Sequence, residues 1–394
     1  MWAEVRSCRA CNTRVSPVLD LGRSPLANAL PDPKDPQPPY FPLGLLRCNG
    51  CGLVQQGITV PTEDLFGQRY PYFASVSRIL RQHAEKLAQA VADRVDAGSL
   101  IIEAGSNDGA LLQALERQGL RALGVDPATE PSAAASRAGC NVVCASFSPE
   151  LACDLQTRQG PAAAICMSNV LAHVPDPGAM LEAAGLLLAP DGWLVIESQY
   201  WLDLVAAGAF DMIYHEHHSH FSLTSLAWLA ANKGFGVVSV EPLPTQGGSL
   251  RLWCQRGASH SAAVLATIAS EAPSLATAAA RLTTALQQFR GAVGHFLEDH
   301  RRSRLAGYGA AAKTVTLLAA SERVWPLVWV ADAAPSKIGR QLPVGRVPVV
   351  SPSMLQTERP DVVMLFAWNL KEEILPDLEG IEVWVPFPRF ERIQ

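Results

Sequence analysis

The sequence predicts an α/β chain: a doubly wound sheet at its centre, an N-terminal metal-binding module before it and a second Rossmann-like unit after it. Three observations carry this prediction. Apolar strand segments alternate with helical segments twice, from Ser99 and again from Arg304, the pattern of a parallel sheet with helices on both faces. An Ala-rich helical stretch, residues 259–301, separates the two series. Two C-x-x-C pairs precede both. A chain of 394 residues accommodates two or three domains. Its 48% hydrophobic and 18% charged residues place it among chains that bury sizeable cores. Lys and Arg number 32 against 37 Asp and Glu, a formal charge of -5. That balance gives no bulk attraction to nucleic acid or an anionic membrane, so neither is an expected partner, and an anionic ligand needs locally placed groups. The start lacks the pattern of a signal peptide, and no run of 18 apolar residues follows, so a cytoplasmic protein is expected.

Residues 1–70 form the first unit. Cys8 and Cys11 make one pair and Cys48 and Cys51 the other; two such knuckles complete a tetrahedral zinc site, and four thiolates leave no open position, so the zinc is structural. Gly52 suits the sharp turn after the second knuckle, and Leu53 and Val54 can start a strand. Between the pairs, PDPKDPQPPYFP holds six prolines in twelve residues and reads as an extended loop. The other five cysteines, Cys140, Cys144, Cys153, Cys166 and Cys254, are expected to be buried apolar side chains.

Residues 71–257 form the second unit. Ile79, Leu80, Ala84, Leu87, Val91 and Val95 recur at helical intervals over residues 77–95. Strands are expected at residues 99–103, 122–126, 162–169 and 192–198, helices at 111–119 and 178–188, and an antiparallel pair at 234–242 and 249–256. The first strand runs into EAGSNDG, where Gly105 and Gly109 allow close approach of a ligand. The G-x-G-x-x-G spacing is absent, and Glu103 and Asp108 would repel a pyrophosphate. A cationic ligand fits better: S-adenosylmethionine carries a sulfonium and an ammonium, and Asp126, ending the next strand, can accept from both ribose hydroxyls. The cofactor set is then Glu103, Gly105, Asn107, Asp108, Gly109 and Asp126.

Four of the nine histidines lie in YHEHHSHFS, residues 214–222. His215, Glu216, His217, His218 and His220 admit a metal site, an interface loop, or a general base with helpers, and spacing does not rank them. Residues 258–300 read as a helical connection whose stripe, Leu275, Leu282, Leu286, Phe289, Val293 and Phe296, packs on a neighbour. In residues 301–394, Gly307 and Gly309 permit a strand-to-helix turn with free N–H groups for an anion, and Lys313 lies in the first helical turn.

CRAC, CNGCGLVQ, YPYFASVS, EAGSNDGALL, SNVLAHVPD, YHEHHSHFS, GGSLRLW, GYGAAAKT and DAAPSKIGRQLPVGRVPV together resemble, in this order, the bacterial C-methyltransferases of nucleotide-linked keto-deoxy sugars. The resemblance spans nearly the whole chain. It implies a zinc-binding N-terminal domain, a class I methyltransferase domain and a Rossmann-like C-terminal domain that helps hold the nucleotide sugar. It further implies methylation of C3 or C5, next to the ketone of an NDP-linked 4-keto-deoxy sugar, dTDP first among the nucleotides, in branched-sugar biosynthesis. His217 is then the base, with Tyr214 and Glu216 lining the same site. Asn169 and His173 sit beside the sugar and the methyl donor, Asn169 also counting with the cofactor residues, and Tyr70 and Tyr72 are candidates to close the pocket. The diphosphate is the anion for Gly307, Gly309 and Lys313, with Gly248, Ser249, Arg251 and Lys337 as further contacts. GYGAAAKT departs from the family's turn, in which Pro and Gly often flank the Lys. A monomer or weak homodimer is expected. The rival activities are a sugar O-methyltransferase and an RNA methyltransferase gripping RNA through its zinc module; seven Lys or Arg against six Asp or Glu in residues 1–70 leave no basic stripe for the latter.

Overall fold

The computed structural model describes residues 2–66 and 72–394. Its centre is a seven-stranded sheet. Across the sheet the strands run Val142–Val143, Arg121–Val125, Leu100–Ala104, Ala162–Ser168, Leu188–Gln199, Ser249–Arg256 and Phe235–Leu243. Counted along the chain this is 3-2-1-4-5-7-6, with the seventh strand antiparallel to both neighbours. Strands at the middle must be apolar on both faces, and Leu100–Ala104 and Ala162–Ser168 are accordingly buried almost throughout. The strand order reverses between these two, which opens a ligand crevice at their C-terminal ends.

The helices follow local chemistry. Arg78–Ala92 starts at Ser77, whose hydroxyl caps Leu80 N, and buries Ala84, Leu87, Ala88 and Val91. Pro177–Leu187 starts with Pro at its first position and the Asp176 carboxylate on Ala179 N. The helices Thr129–Arg137, Pro149–Gln159, Trp201–Ala207 and Leu223–Asn232 add to those read from the sequence.

The C-terminal unit repeats the same logic in five parallel strands. They run Val349–Val350, Leu327–Ala331, Leu305–Tyr308, Val362–Leu365 and Glu382–Val385, closed by antiparallel Glu391–Arg392. A 38-residue helix, Ala262–Asp299, joins the units, and its Leu282, Leu286, Phe289, Val293 and Phe296 are buried in the core shared with the C-terminal unit. Among the described residues it is the one helix long and apolar enough to cross a membrane by length and composition, although the sequence shows no unbroken apolar run. Its Glu271 is 2% exposed and accepts from Leu223 N and Thr224 N at 2.8 and 2.7 Å, from the Thr224 hydroxyl, and from the Tyr200 hydroxyl at 2.8 Å. A carboxylate from one helix thus caps the first turn of another.

The N-terminal sheet has strands Val15–Ser24, Phe41–Cys48 and Val54–Gln56; residues 31–40 of the proline-rich stretch hold no regular element, and its last two, Phe41 and Pro42, start the second strand. Its fourth strand is Ser219–His220, which pairs antiparallel with Val54–Gln56. The histidine-rich segment is therefore part of the N-terminal sheet. Of the five remaining cysteines, Cys140, Cys166 and Cys254 are buried, but Cys144 and Cys153 are exposed, one at the end of the short edge strand and the other on the outer face of Pro149–Gln159; both elements lie at the rim, where one side faces water.

Candidate active site

Beside this sheet, Cys8, Cys11, Cys48 and Cys51 converge. Sγ separations are 3.6 Å for Cys8–Cys51, 3.3 Å for Cys11–Cys48 and 3.6 Å for Cys11–Cys51, and all four sulfurs lie within 4.8 Å of one another. This donor set fits a tetrahedral zinc. Among the described residues no other group of three or more His, Cys, Asp or Glu is placed to share an ion, so the metal reading of the histidine cluster is set aside.

One cavity of about 1430 Å³ runs between the crevices of the two Rossmann-like units. Glu103, Gly105, Asn107 and Asp126 line its central end, Asn169, His173, Tyr214, Glu216 and His217 its middle, Tyr72 its cover, and Gly309, Lys313 and Lys337 its C-terminal end. Tyr70 lies outside the described residues. Asp108, Gly109, Ser249, Arg251 and Gly307 do not line it. Asp108 instead accepts from Ser75 N at 3.2 and 3.1 Å and from the Ser75 hydroxyl at 2.5 Å, and Asn107 holds Ala74 N at 2.9 Å and the Tyr72 carbonyl at 3.2 Å. The polar residues of the glycine turn thereby moor the segment that carries Tyr72. A Cβ on Gly109 would meet the Cys140 sulfur at 2.8 Å, and one on Gly307 would meet Phe366 at 2.8 Å; both glycines serve packing. Ser249 caps the Thr245 carbonyl, and Arg251 stands opposite Glu197 in the sheet, bonded to it at 2.6 Å.

At the central end, Gly105 lines the cavity with φ +80°, and a Cβ there would strike Val170 at 2.7 Å, so only glycine fits this turn. Asp126 accepts from Asn107 N and Ala128 N, each at 2.8 Å, and burial raises it above the ordinary aspartate range. Glu103 is pushed well above its usual range by burial and by the nearby Asp126, Asp108 and Glu197, and its Oε2 has no hydrogen-bond partner among the described residues. A buried carboxyl with an orphaned oxygen, beside a carboxylate at the end of the second strand, fits a ligand bearing an ammonium and a ribose diol. Asn169, at the end of the fourth strand, holds φ +55° with its Oδ1 also unpartnered, an energetically costly conformation that clusters at functional sites.

In the middle, His217 donates through Nδ1 to the Met212 carbonyl at 2.8 Å. A carbonyl only accepts, so Nδ1 carries the proton and Nε2 the lone pair. Burial, reinforced by His173 and His220, depresses its pKa well below the ordinary imidazole range, leaving a neutral base at pH 7. The His173 ring centroid lies 4.7 Å away and that of Tyr214 4.0 Å. Tyr214 is held protonated by burial and by Glu216. Both Glu216 oxygens accept from Asn28 Nδ2, at 2.8 and 2.9 Å, while Gln56 donates from its backbone to the His218 carbonyl at 3.0 Å and from its side chain to the Tyr214 carbonyl at 3.1 Å. The zinc module thus builds one wall of the site. Asn28 and Gln56 carry no local motif in the sequence; only the fold identifies them.

At the far end, Gly309 has φ +99°, and a Cβ would meet Ala367 at 2.8 Å. Lys313 is buried, donates to Asn369 Oδ1 and lies 5.1 Å above the Trp368 ring. Lys337 pairs with Asp332 at 3.2 Å, and Asp332 in turn accepts from Ala310 N and Ala334 N at 2.8 and 2.9 Å.

Three family models match the chain: a zinc binding domain over residues 8–66, a methyltransferase domain over residues 76–240, and a C-methyltransferase C-terminal domain over residues 244–386. Among solved structures, the chain is similar to the magnesium protoporphyrin IX methyltransferase of Synechocystis PCC 6803 with bound SAM (16% identity, 45% of this chain and 79% of that one, TM-score 0.35). It is also similar to the CcbJ methyltransferase of Streptomyces caelestis (12% identity, 45% and 90%, TM-score 0.36). Its similarity to the C-methyltransferase NovU of Streptomyces niveus is far more extensive, with 33% identity over 387 residues, 94% of this chain and 91% of that protein. Identity on that scale along both chains, with all three domain models in series, makes this chain a member of the C-methyltransferase family.

Proposed function

We propose that this C-methyltransferase uses S-adenosylmethionine to methylate C3 or C5, next to the ketone, of an NDP-linked 4-keto-deoxy sugar, with His217 as general base. The supporting observation is a neutral imidazole with Nε2 free, in the wall of a cavity that has carboxyls at one end and two lysines at the other. Glu103 and Asp126 would hold the cofactor's ammonium and ribose, and Gly105 its backbone-facing edge. When bound, the cofactor supplies an electrophilic methyl group. His217 Nε2 takes the proton from the carbon next to the ketone, and the electron pair left behind delocalises onto the ketone oxygen. Tyr214, protonated and beside His217, donates to that oxygen. His173, pushed down to about 4 by burial, stays neutral with its ring edge-on to His217. Lys313, Lys337 and the Gly309 turn take the diphosphate. In this reading residues 1–70 are the zinc module, 71–257 the methyltransferase domain, 258–300 the helical connection and 301–394 the nucleotide-holding domain.

The test is incubation with dTDP-, GDP- and CDP-linked 4-keto sugars in deuterated water, read by NMR and mass. Deuterium entering beside the ketone and a carbon-linked methyl product are expected. An oxygen-linked methyl with no exchange would replace this reading with a sugar O-methyltransferase. His217→Asn should abolish transfer while leaving cofactor binding by calorimetry nearly unchanged; an active variant removes His217 as the base.

A further inference from the structure

The seam between the central and C-terminal units holds a buried carboxylate that this reaction does not use. Asp211, on the turn Phe210–Met212, has no exposed surface. Its Oδ2 accepts the Trp368 indole N–H at 2.7 Å, and its Oδ1 has no hydrogen-bond partner among the described residues. Trp368 belongs to the C-terminal unit, lines the cavity, and carries Lys313 Nζ 5.1 Å from its ring; the next residue, Asn369, accepts from the same ammonium. One carboxylate from the central unit therefore anchors the platform on which the other unit's lysine rests.

We propose that Asp211 is a positioning residue for the anionic group of the substrate, fixing Trp368 and keeping Lys313 cationic without touching the anion. This rests on the reading that Lys313 faces the diphosphate. A buried ammonium needs a counter-charge or it sheds its proton. Burial brings Lys313 down to about 8, with Asp211 opposing the shift and Lys337 adding to it. Burial likewise lifts Asp211 to about 6, with Lys313 and the Trp368 N–H opposing. The other charged groups facing this end are Lys337 with its partner Asp332, and Lys371, Glu372, Glu373 and Asp377 at the rim. Between those two limits both partners are charged; above them Lys313 loses its charge, and removing Asp211 moves that loss to lower pH.

The prediction has an unusual sign. Deleting a negative charge near an anion site ordinarily strengthens anion binding, whereas here it weakens it. If Asp211→Asn lowers Lys313 by about one unit, the charged fraction at pH 8.5 falls about eight-fold, but at pH 6.5 only about 1.3-fold. The experiment is calorimetric titration of the full-length, zinc-loaded protein with dTDP, UDP and GDP at both pH values. Wild type, Asp211→Asn and Trp368→Phe are compared, the last keeping a ring beneath Lys313 but dropping the N–H. Asp211→Asn should bind several-fold more weakly at pH 8.5 and nearly normally at pH 6.5, whereas Trp368→Phe, which leaves Asp211 ionised at pH 8.5 and only loosens the platform, should bind more weakly at both; equal or tighter binding of Asp211→Asn at pH 8.5 overturns the proposal. In parallel, carbon-13 NMR of labelled lysines, with Lys313→Arg for assignment, should show the Lys313 midpoint lowered in Asp211→Asn, and an unchanged midpoint in that variant also overturns it. Should wild type bind none of the nucleotides, the reading of the anion site fails, while the lysine titration still decides the part played by Asp211. Asp211→Asn is isosteric; if it does not fold, Trp368→Phe carries the binding arm, and unchanged nucleotide affinity in that variant overturns the proposal.

Discussion

Replacing Glu271 with Ala should destabilise the chain by about 4 kcal/mol, without touching the cavity. The carboxylate satisfies two backbone N–H groups at the start of Leu223–Asn232 and two hydroxyls. The Thr224 and Tyr200 hydroxyls can rotate toward other acceptors, but the amides of Leu223 and Thr224 cannot. Each buried donor left bare costs about 1–3 kcal/mol, and the lost favourable charge at a helix N-terminus adds a few tenths to about 1 kcal/mol. Glu271→Gln keeps one acceptor oxygen but turns an N–H toward one of the donors, so about 2 kcal/mol is expected. Urea titration of the transition that includes the central domain measures the loss, and amide exchange at Leu223 and Thr224 localises it. The helix cap fails as an account if Glu271→Ala unfolds within about 1 kcal/mol of wild type, or if the two amides exchange no faster.

Acid should unfold this protein early. His173 and His215 are brought down to about 4, His218 and His220 to about 3, and His217 well below its ordinary range, each chiefly by burial. Depressed folded values mean that these imidazoles stabilise the fold above about pH 6.5 and that the contribution drains away as pH falls toward their folded values. Each costs about 1.4 kcal/mol per pH unit in that window, so five together can remove up to about 7 kcal/mol between pH 7.5 and 5.5; equal melting temperatures at the two values would refute it. Elemental analysis should find one zinc per chain and none after Cys48→Ser, with loss of methyl transfer. In the stripped protein, proteolysis should begin within residues 8–66, and an active metal-free chain would show that the sheet holds the histidine segment without zinc.

Much of the architecture was legible because it is periodic. Apolar runs such as 100–104 and 162–168 are buried on both faces, and that requirement writes itself into the sequence. Thr129–Arg137 and Pro149–Gln159 escaped because each buries only a few small or scattered residues, Pro131, Ser132 and Ala135 in one, Ala152 and Leu155 in the other. Val142–Val143 is too short to show an alternation. In the candidate site, Gly105 and Asp126 stand in a local pattern that points to a ligand, whereas His217 is set apart from its neighbouring histidines only by the family resemblance. Arg251 was misplaced because its partner, Glu197, belongs to another strand, and only the register sets them opposite each other. Asn28 reaches Glu216 across 188 positions and Trp368 reaches Asp211 across 157; no window on the sequence contains both members of either pair.

The pairing of Ser219–His220 with Val54–Gln56 also bears on how the chain is made. From Gln55 to Ser219 is 164 positions, so during synthesis the N-terminal sheet waits with an unpaired edge until most of the central domain has left the ribosome. Such an edge is an invitation to pair with another chain. The histidine segment that closes it arrives with the proposed base, His217, two residues before the strand begins. Completing the first domain and seating His217 are thus one folding event, and a chain truncated at residue 70 would be left with its sheet open.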